Sequence, residues 1–213
     1  MAIAQCLESA GNAAAVKRQL QLRHPRKERR IGAFLGKAAW IVAHIIDHCA
    51  KLPISEEDRI IEATDMITID LSPQNNCIWG DYARTLIVEN GRIVKDIEQI
   101  QNNEWRDGIK MEAYLHEAML GFVNENTTFE ELFYYINDQI KARGYVNLDF
   151  LGNLGHSIVK DKRQRIYIEK GNTEKLSAVE AFTFEPHISL PGSLYGFKKE
   201  NIYGFNGGVL TEL

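Results

Sequence analysis

The stretch "MITIDLSPQNNCIWGDYARTLIV" constrains the fold more than any other part of this chain. Two runs rich in β-branched and aromatic residues flank a cluster of Ser, Pro, Gln and Asn, the pattern of two strands joined through a turn. Each apolar arm carries an acid, Asp70 in the first and Asp81 in the second. The midpoint between them falls between Asn75 and Asn76, inside the turn cluster. A hairpin closed symmetrically there sets Asp70 directly opposite Asp81, with Cβ atoms about 5 Å apart. Like charges so placed repel, so the pair calls for a cation between them or a proton on one of them.

The same arithmetic applies near the C-terminus. In "TFEPHISLPGSLYGFKKENIYGF", Glu185 and Glu200 are centred on Gly192–Ser193, inside a second turn signal. Between the two acid pairs, "LGHSI" sets His156 beside Gly155 in a turn. These acids read either as ordinary strand-end carboxylates or as ligands. As ligands, four carboxylates and one imidazole form a hard, oxygen-rich set that favours Mn, Fe, Co or Zn in a two-metal site over a structural zinc. Two ions about 3.5–4 Å apart share bridging carboxylates and activate a water.

The rest of the chain frames these strands. Residues 2–24 have helical composition and lead into a basic stretch from Lys17 to Arg30, read as a solvated helix end and linker or as a contact for an acidic partner or nucleic acid. Residues 31–51, "IGAFLGKAAWIVAHIIDHCAK", read as one strongly apolar helix, with His44 and His48 sharing a face at i, i+4. Those histidines fit a core or interface, or a zinc pair that lacks the usual glutamate. "ISEED" is a helix-start signal, and Asn90–Gly91 signals a tight turn. Amphipathic helices are expected over 104–124, with His116 structural, and over 128–143, capped by Thr127 with Glu130 and ended by Gly144. Short strands follow at about 156–160, 165–169, 180–188, 195–205 and 208–212. Helices, strands, two helices and strands in that order mean an α+β fold, not alternating β/α units. We divide the chain into an N-terminal helical segment, 1–55, and a main domain, 56–213.

Composition narrows the class. The chain's 213 residues suit one sizeable core. A formal charge of −4 argues against a nucleic-acid-coating protein. Three widely spaced cysteines, with no CxxC, read as reduced thiols. The N-terminus lacks the basic region and long apolar core of a secretory signal, and "AAWIVAHII" is too short to cross a bilayer. A cytoplasmic protein without a membrane partner is the expectation.

At the acid pairs the chain resembles the "pita-bread" metallopeptidases of family M24, which include methionine aminopeptidase, aminopeptidase P, prolidase and creatinase. "ITIDLSPQNNCIWGDYARTLIV" resembles the segment in which two aspartates eleven residues apart bind metals and an Arg-Thr follows, here Asp70, Asp81, Arg84 and Thr85. "LGHSI" is similar to the histidine-ligand turn, "FTFEPHISLPG" to the segment with a ligand glutamate before proline, and "GFKKENIYGF" to the last ligand strand. The motifs run in family order from about residue 60 to 213. The resemblance implies a pita-bread fold with a shortened N-terminal half preceded by helices. It also implies metal ligands Asp70, Asp81, His156, Glu185 and Glu200 around two divalent ions.

The chain also departs from the pattern. Family peptidases carry a histidine seven residues after the ligand histidine, where this chain has Arg163. A second family histidine lies upstream of the first aspartate, where "AKLPISEEDRIIEATD" holds none. Lys198 stands where arginine is common, and His187 where glycine is common. The leading reading is a metallohydrolase acting on a small peptide or amide, with a homodimer allowed for. Glu185 is its acid–base group, and Arg163, Lys198 and His187 are its candidate substrate or oxyanion contacts. Arg163 also reads as part of an exposed basic loop. A metalloprotein with another reaction, such as an oxygen-dependent di-iron step, and a binding protein that has lost catalysis are the alternatives.

Overall fold

The computed structural model describes residues 31–34, 40–47, 62–71, 74–75 and 78–213. The helix expected over 2–24, the basic stretch up to Arg30, "ISEED", His48, the cysteines and the domain division near residue 55 lie outside these residues.

The segment expected as one apolar helix contains two strands, β1 (Ile31–Phe34) and β2 (Trp40–Asp47). They pair with each other, and β2 pairs over five residues with β3 (Asp65–Leu71). A continuous apolar run fits a buried strand as well as a buried helix. Here Ile41, Val42, Ile45 and Ile46, all β-branched, favour the extended form.

The connection after β3 is not a simple turn. It holds two short strands, β4 (Gln74–Asn75) and β5 (Ile78–Trp79), and β4 pairs with β2. The chain then enters β6 (Tyr82–Glu89). Because of this excursion, Asp70 pairs with Ala83 and not with Asp81. The slip is two residues, which preserves the face on which each side chain lies; a slip of one would have reversed it. Asn90 and Gly91, both at positive φ, turn the chain into β7 (Arg92–Ile93) as expected.

Two helices come next, α1 (Asn103–Phe122) and α2 (Phe129–Ala142). The capping box of α2 is Thr128 with Glu131, one residue beyond the expected pair, and Gly144 follows at φ 79°. Met111, Leu115 and Met119 of α1 and Phe129, Leu132 and Ile136 of α2 are buried in one core. That core is closed from the sheet side by Phe182, Phe184, Phe197 and Tyr203. Gly108 lets α1 approach the sheet, since a Cβ there would lie 2.4 Å from the Phe197 ring.

The remaining strands are β8 (Val146–Asn147), β9 (Phe182–Phe184), β10 (His187–Ser189), β11 (Phe197–Asn206) and β12 (Val209–Glu212). The strands expected around 156–160 and 165–169 are single bridges, His156 with Tyr167 and Ser157 with Phe182. The main path of the sheet runs β5-β4-β2-β3-β6-β11-β10-β8, and every described ladder is antiparallel. His187 pairs with Lys198, and Phe184 with Asn201. The same register, carried through the gap at Pro186, sets Glu185 opposite Glu200. Proline has no N–H to give the ladder, which is why β9 and β10 are separate.

Candidate metal centre

One rung of the sheet carries the site. His44 of β2 stands opposite Asp70 of β3, Asp70 opposite Ala83 of β6, and Ala83 opposite Glu200 of β11. Ala83, fully buried, is the small residue between two acids, and its methyl leaves room above the sheet. Asp81 lies two residues before Ala83 and so has the same parity. Thr85, two residues after it, ties the strands together: its hydroxyl is 2.9 Å from that of Thr68 and accepts from the Lys198 N–H at 2.8 Å. Arg84 lies on the opposite parity, donating to the carbonyls of Ala83 and Glu200 and to Asn201 while its guanidinium covers the Tyr82 ring. The Arg-Thr pair therefore holds β6 to β11 beneath the acids.

His156 is brought in by a close backbone approach. Gly155 has φ 138°, and a Cβ there would lie 2.2 Å from the Thr183 carbonyl oxygen. The Thr183 N–H donates to the His156 carbonyl at 2.7 Å, and the His156 N–H donates to the Thr183 hydroxyl at 3.0 Å. The ring Nδ1–H donates to the Ser157 carbonyl at 3.2 Å, which puts the ring's lone pair on Nε2, the nitrogen that faces the acids. Nε2 lies 3.6 Å from Asp81 and 3.7 Å from Glu185.

Asp81, His156 and Glu200, all buried, each offer one ligand atom within 4.8 Å of the others. Glu200 is 1% exposed, and neither of its carboxylate oxygens has a hydrogen-bond partner. Burial and the nearby Glu185 push its carboxyl up to about 10. A buried carboxylate without donors is costly unless a cation satisfies it. An imidazole whose other nitrogen is anchored to a backbone carbonyl is the usual form of a metal-ligating histidine. These residues fit a divalent ion.

Asp70 and Glu185 face a different cation. The Lys198 ammonium lies 3.0 Å from Asp70 and 2.8 Å from Glu185, and Lys198 is 8% exposed. Burial alone would lower this lysine, but Glu185, Asp70 and Glu200 outweigh it and hold the ammonium well above its ordinary value. Glu185 is held below the usual carboxylate range: burial opposes this, and Lys198 and His156 overcome it. Asp149 is close enough to feel Lys198, Glu185 and Asp70, and its own burial raises it to about 7.

A sequence model of metallopeptidase family M24 matches residues 14–210. The chain belongs to that family. The match begins well upstream of residue 60, so β1 and β2 lie within it. No curated protein sequence matches the chain. The X-Pro aminopeptidase of Thermotoga maritima superposes with a TM-score of 0.67 at 18% identity, over 99% of this chain and 56% of its own. The prolidase of Pyrococcus horikoshii gives 0.69 at 17%, over 99% and 58%. The methionine aminopeptidase of Rickettsia prowazekii gives 0.58 at 16%, over 81% and 72%. At these identities the likeness shows the shared pita-bread fold. The chain spans about half the length of the prolidases it matches. Among the described residues, no helix is long and apolar enough to cross a membrane.

This M24 chain departs from the sequence expectation at Arg163 and His44. The structure does not bring Arg163 to the acids: its side chain is 89% exposed and forks onto Asp161 at 2.7 Å. Arg165, only 17% exposed, reaches Asp81 at 3.9 Å instead. His156 bridges Tyr167, so the intervening turn is centred at Asp161–Lys162; Arg163 sits at its tip, and Arg165 shares the parity of Tyr167. His187 is half-buried in β10 beside Lys198, and burial first, then the lysine charge, lowers its imidazole to about 4. His44, expected on a helix face with His48, occupies the strand position next to Asp70. Outside the site, His116 is structural as expected, with Nδ1 2.8 Å from the Tyr203 hydroxyl and Nε2 3.1 Å from the Lys199 carbonyl oxygen.

Proposed function

We propose that this M24 chain is a metal-dependent hydrolase that cleaves an amide or peptide bond in a small substrate at the Asp81–His156–Glu200 cluster. The observation that carries the reading is the buried carboxylate of Glu200, without a hydrogen-bond partner, converging with Asp81 and the His156 imidazole so that each offers one ligand atom within 4.8 Å of the others. A divalent ion of the Mn, Fe, Co or Zn type held there would supply Lewis acidity toward a carbonyl and acidity to a bound water.

The chain's own groups supply the rest. Glu185 touches both halves of the site, with Oε1 3.7 Å from His156 and Oε2 2.8 Å from Lys198, so it is the carboxylate placed to take a proton and return it to a leaving amine. Lys198 keeps it ionised and ready to accept. Neutral His187, on the same rung as Lys198, can donate one hydrogen bond to a substrate oxygen without adding charge. We assign His44 to the family's histidine upstream of the first aspartate, on the strength of its place beside Asp70.

Metal analysis and a peptide panel test the reading together. The purified chain, reconstituted with Mn(II), Co(II), Zn(II) or Fe(II), should retain metal and hydrolyse a member of a panel of dipeptides and short N-terminal peptides. Asp81→Ala and Glu200→Ala should each abolish both. His44→Ala should lower turnover and leave metal content unchanged. Metal retention without turnover on the whole panel would favour a binding protein, and failure to retain any metal would end the proposal.

A further inference from the structure

We propose that the centre takes one divalent ion per chain, at Asp81, His156 and Glu200, and that the Lys198 ammonium serves as the second cation, between Asp70 and Glu185. This rests on the metallohydrolase reading above and replaces the two ions expected from the ligand count.

The acids sort into two groups. Asp81, His156 and Glu200 converge within 4.8 Å, and Asp70 is not among them. Asp70 and Glu185 instead share one ammonium, at 3.0 and 2.8 Å. An ammonium has three donors in a tetrahedral spread, so it can hold two carboxylates at once as a small cation would. Glu185 can serve both halves, since Oε2 meets the lysine while Oε1 faces His156.

The lysine is not positioned by chance. Its backbone N–H is held by the Thr85 hydroxyl at 2.8 Å, and its neighbour across the ladder is His187. Glu200, two residues on, has the same strand parity, so the ion ligand and the ammonium rise from one face of β11. A second ion would have to expel a buried, doubly paired charge from this place, and breaking such a pair leaves uncompensated charge behind.

Charge balance points the same way. Asp70, Asp81, Glu185 and Glu200 bring four negative charges when ionised. One divalent ion, Lys198 and Arg165, which lies 3.9 Å from Asp81, bring four positive ones. A second divalent ion in place of the ammonium would leave these groups with one excess positive charge in a buried setting, where net charge is costly.

The experiment is a Mn(II) titration of the full chain, stripped with chelator and followed by equilibrium dialysis, elemental analysis and electron paramagnetic resonance. Wild type should saturate at one Mn(II) per chain with the spectrum of an isolated ion. Lys198→Arg should do the same, which controls for folding. Lys198→Met removes the ammonium and should admit a second Mn(II), with a spin-coupled spectrum, while the first site changes affinity by less than about tenfold. Two coupled ions in wild type would overturn the proposal and leave the hydrolase reading standing. No ion in wild type would overturn both. One ion in both wild type and a folded Lys198→Met protein would overturn the role given to the lysine.

Discussion

Arg165 and Asp81 form a long ion pair, 3.9 Å from Nη2 to Oδ2, at the edge of the metal cluster. The guanidinium and an incoming ion therefore compete for the same carboxylate. Two unit charges about 4 Å apart attract by about 4 kcal/mol at an effective dielectric of 20. If neighbours and solvent leave only a third of that, it still corresponds to about tenfold in affinity. Arg165→Met should tighten divalent metal binding by about that factor in a competition titration against a fluorescent chelator. Weaker binding would mean that Arg165 orients Asp81 more than it opposes the ion.

Thr85 is the fastener between the first aspartate strand and the lysine strand. Its hydroxyl meets Thr68 at 2.9 Å, the Lys198 N–H at 2.8 Å and the Lys198 carbonyl at 3.2 Å, all buried. Thr85→Val keeps the shape and leaves the Lys198 N–H without an acceptor, at a cost of about 1–3 kcal/mol. Urea unfolding should record that loss. A change below about half a kcal/mol would mean the strands re-pair directly.

Gly155 sets the position of His156. Alanine there meets the Thr183 carbonyl oxygen at 2.2 Å while its backbone keeps φ 138°. That combination of clash and strain belongs to the small class of substitutions costing about 4 kcal/mol or more. Gly155→Ala should fall steeply in melting temperature and lose metal, whereas Gly121→Ala, at an open position, should do neither. Equal stability of the two variants would show that the Gly155 turn can relax.

These residues show which parts of the site a sequence can reveal. Glu185 and Glu200 were legible because the chain between them folds back symmetrically on a turn at Gly192, φ 82°, and every ladder in that hairpin keeps one register. Asp70 and Asp81 were legible as neighbours but not as partners. Their turn cluster contains a small strand pair of its own, and that pairing depends on β2, far away in sequence. The run at 40–47 is largely apolar at both parities, so periodicity does not separate strand from helix, and the element that carries His44 cannot be read from the sequence. Lys198 is visible in the sequence as a substitution, but its partners lie 128 residues away at Asp70 and across a hairpin at Glu185, contacts that no local pattern encodes.

Glu112 offers a test of the scaffold away from the site. It lies on the inner face of α1, 2% exposed, near Lys199, and burial pushes its carboxyl well above the usual range, so it folds protonated. In the unfolded chain a glutamate loses its proton near pH 4.3. The native state therefore binds one more proton than the unfolded state as pH rises past that value, and stability falls by about 1.4 kcal/mol per pH unit until the buried group itself ionises. His116, one turn along, has the opposite sign. Burial first, then Lys199, lowers it to about 3, so it takes stability away only as pH falls below about 6.5 and is silent above. Between pH 7 and 9, then, Glu112 acts without its neighbour. Glu112→Gln keeps the shape and removes the titration, so its stability relative to wild type should grow as pH rises from 7 to 9. Paired urea titrations of the metal-stripped proteins at pH 7 and pH 9 measure the difference directly. A constant difference at both values would show that Glu112 is already ionised in the fold.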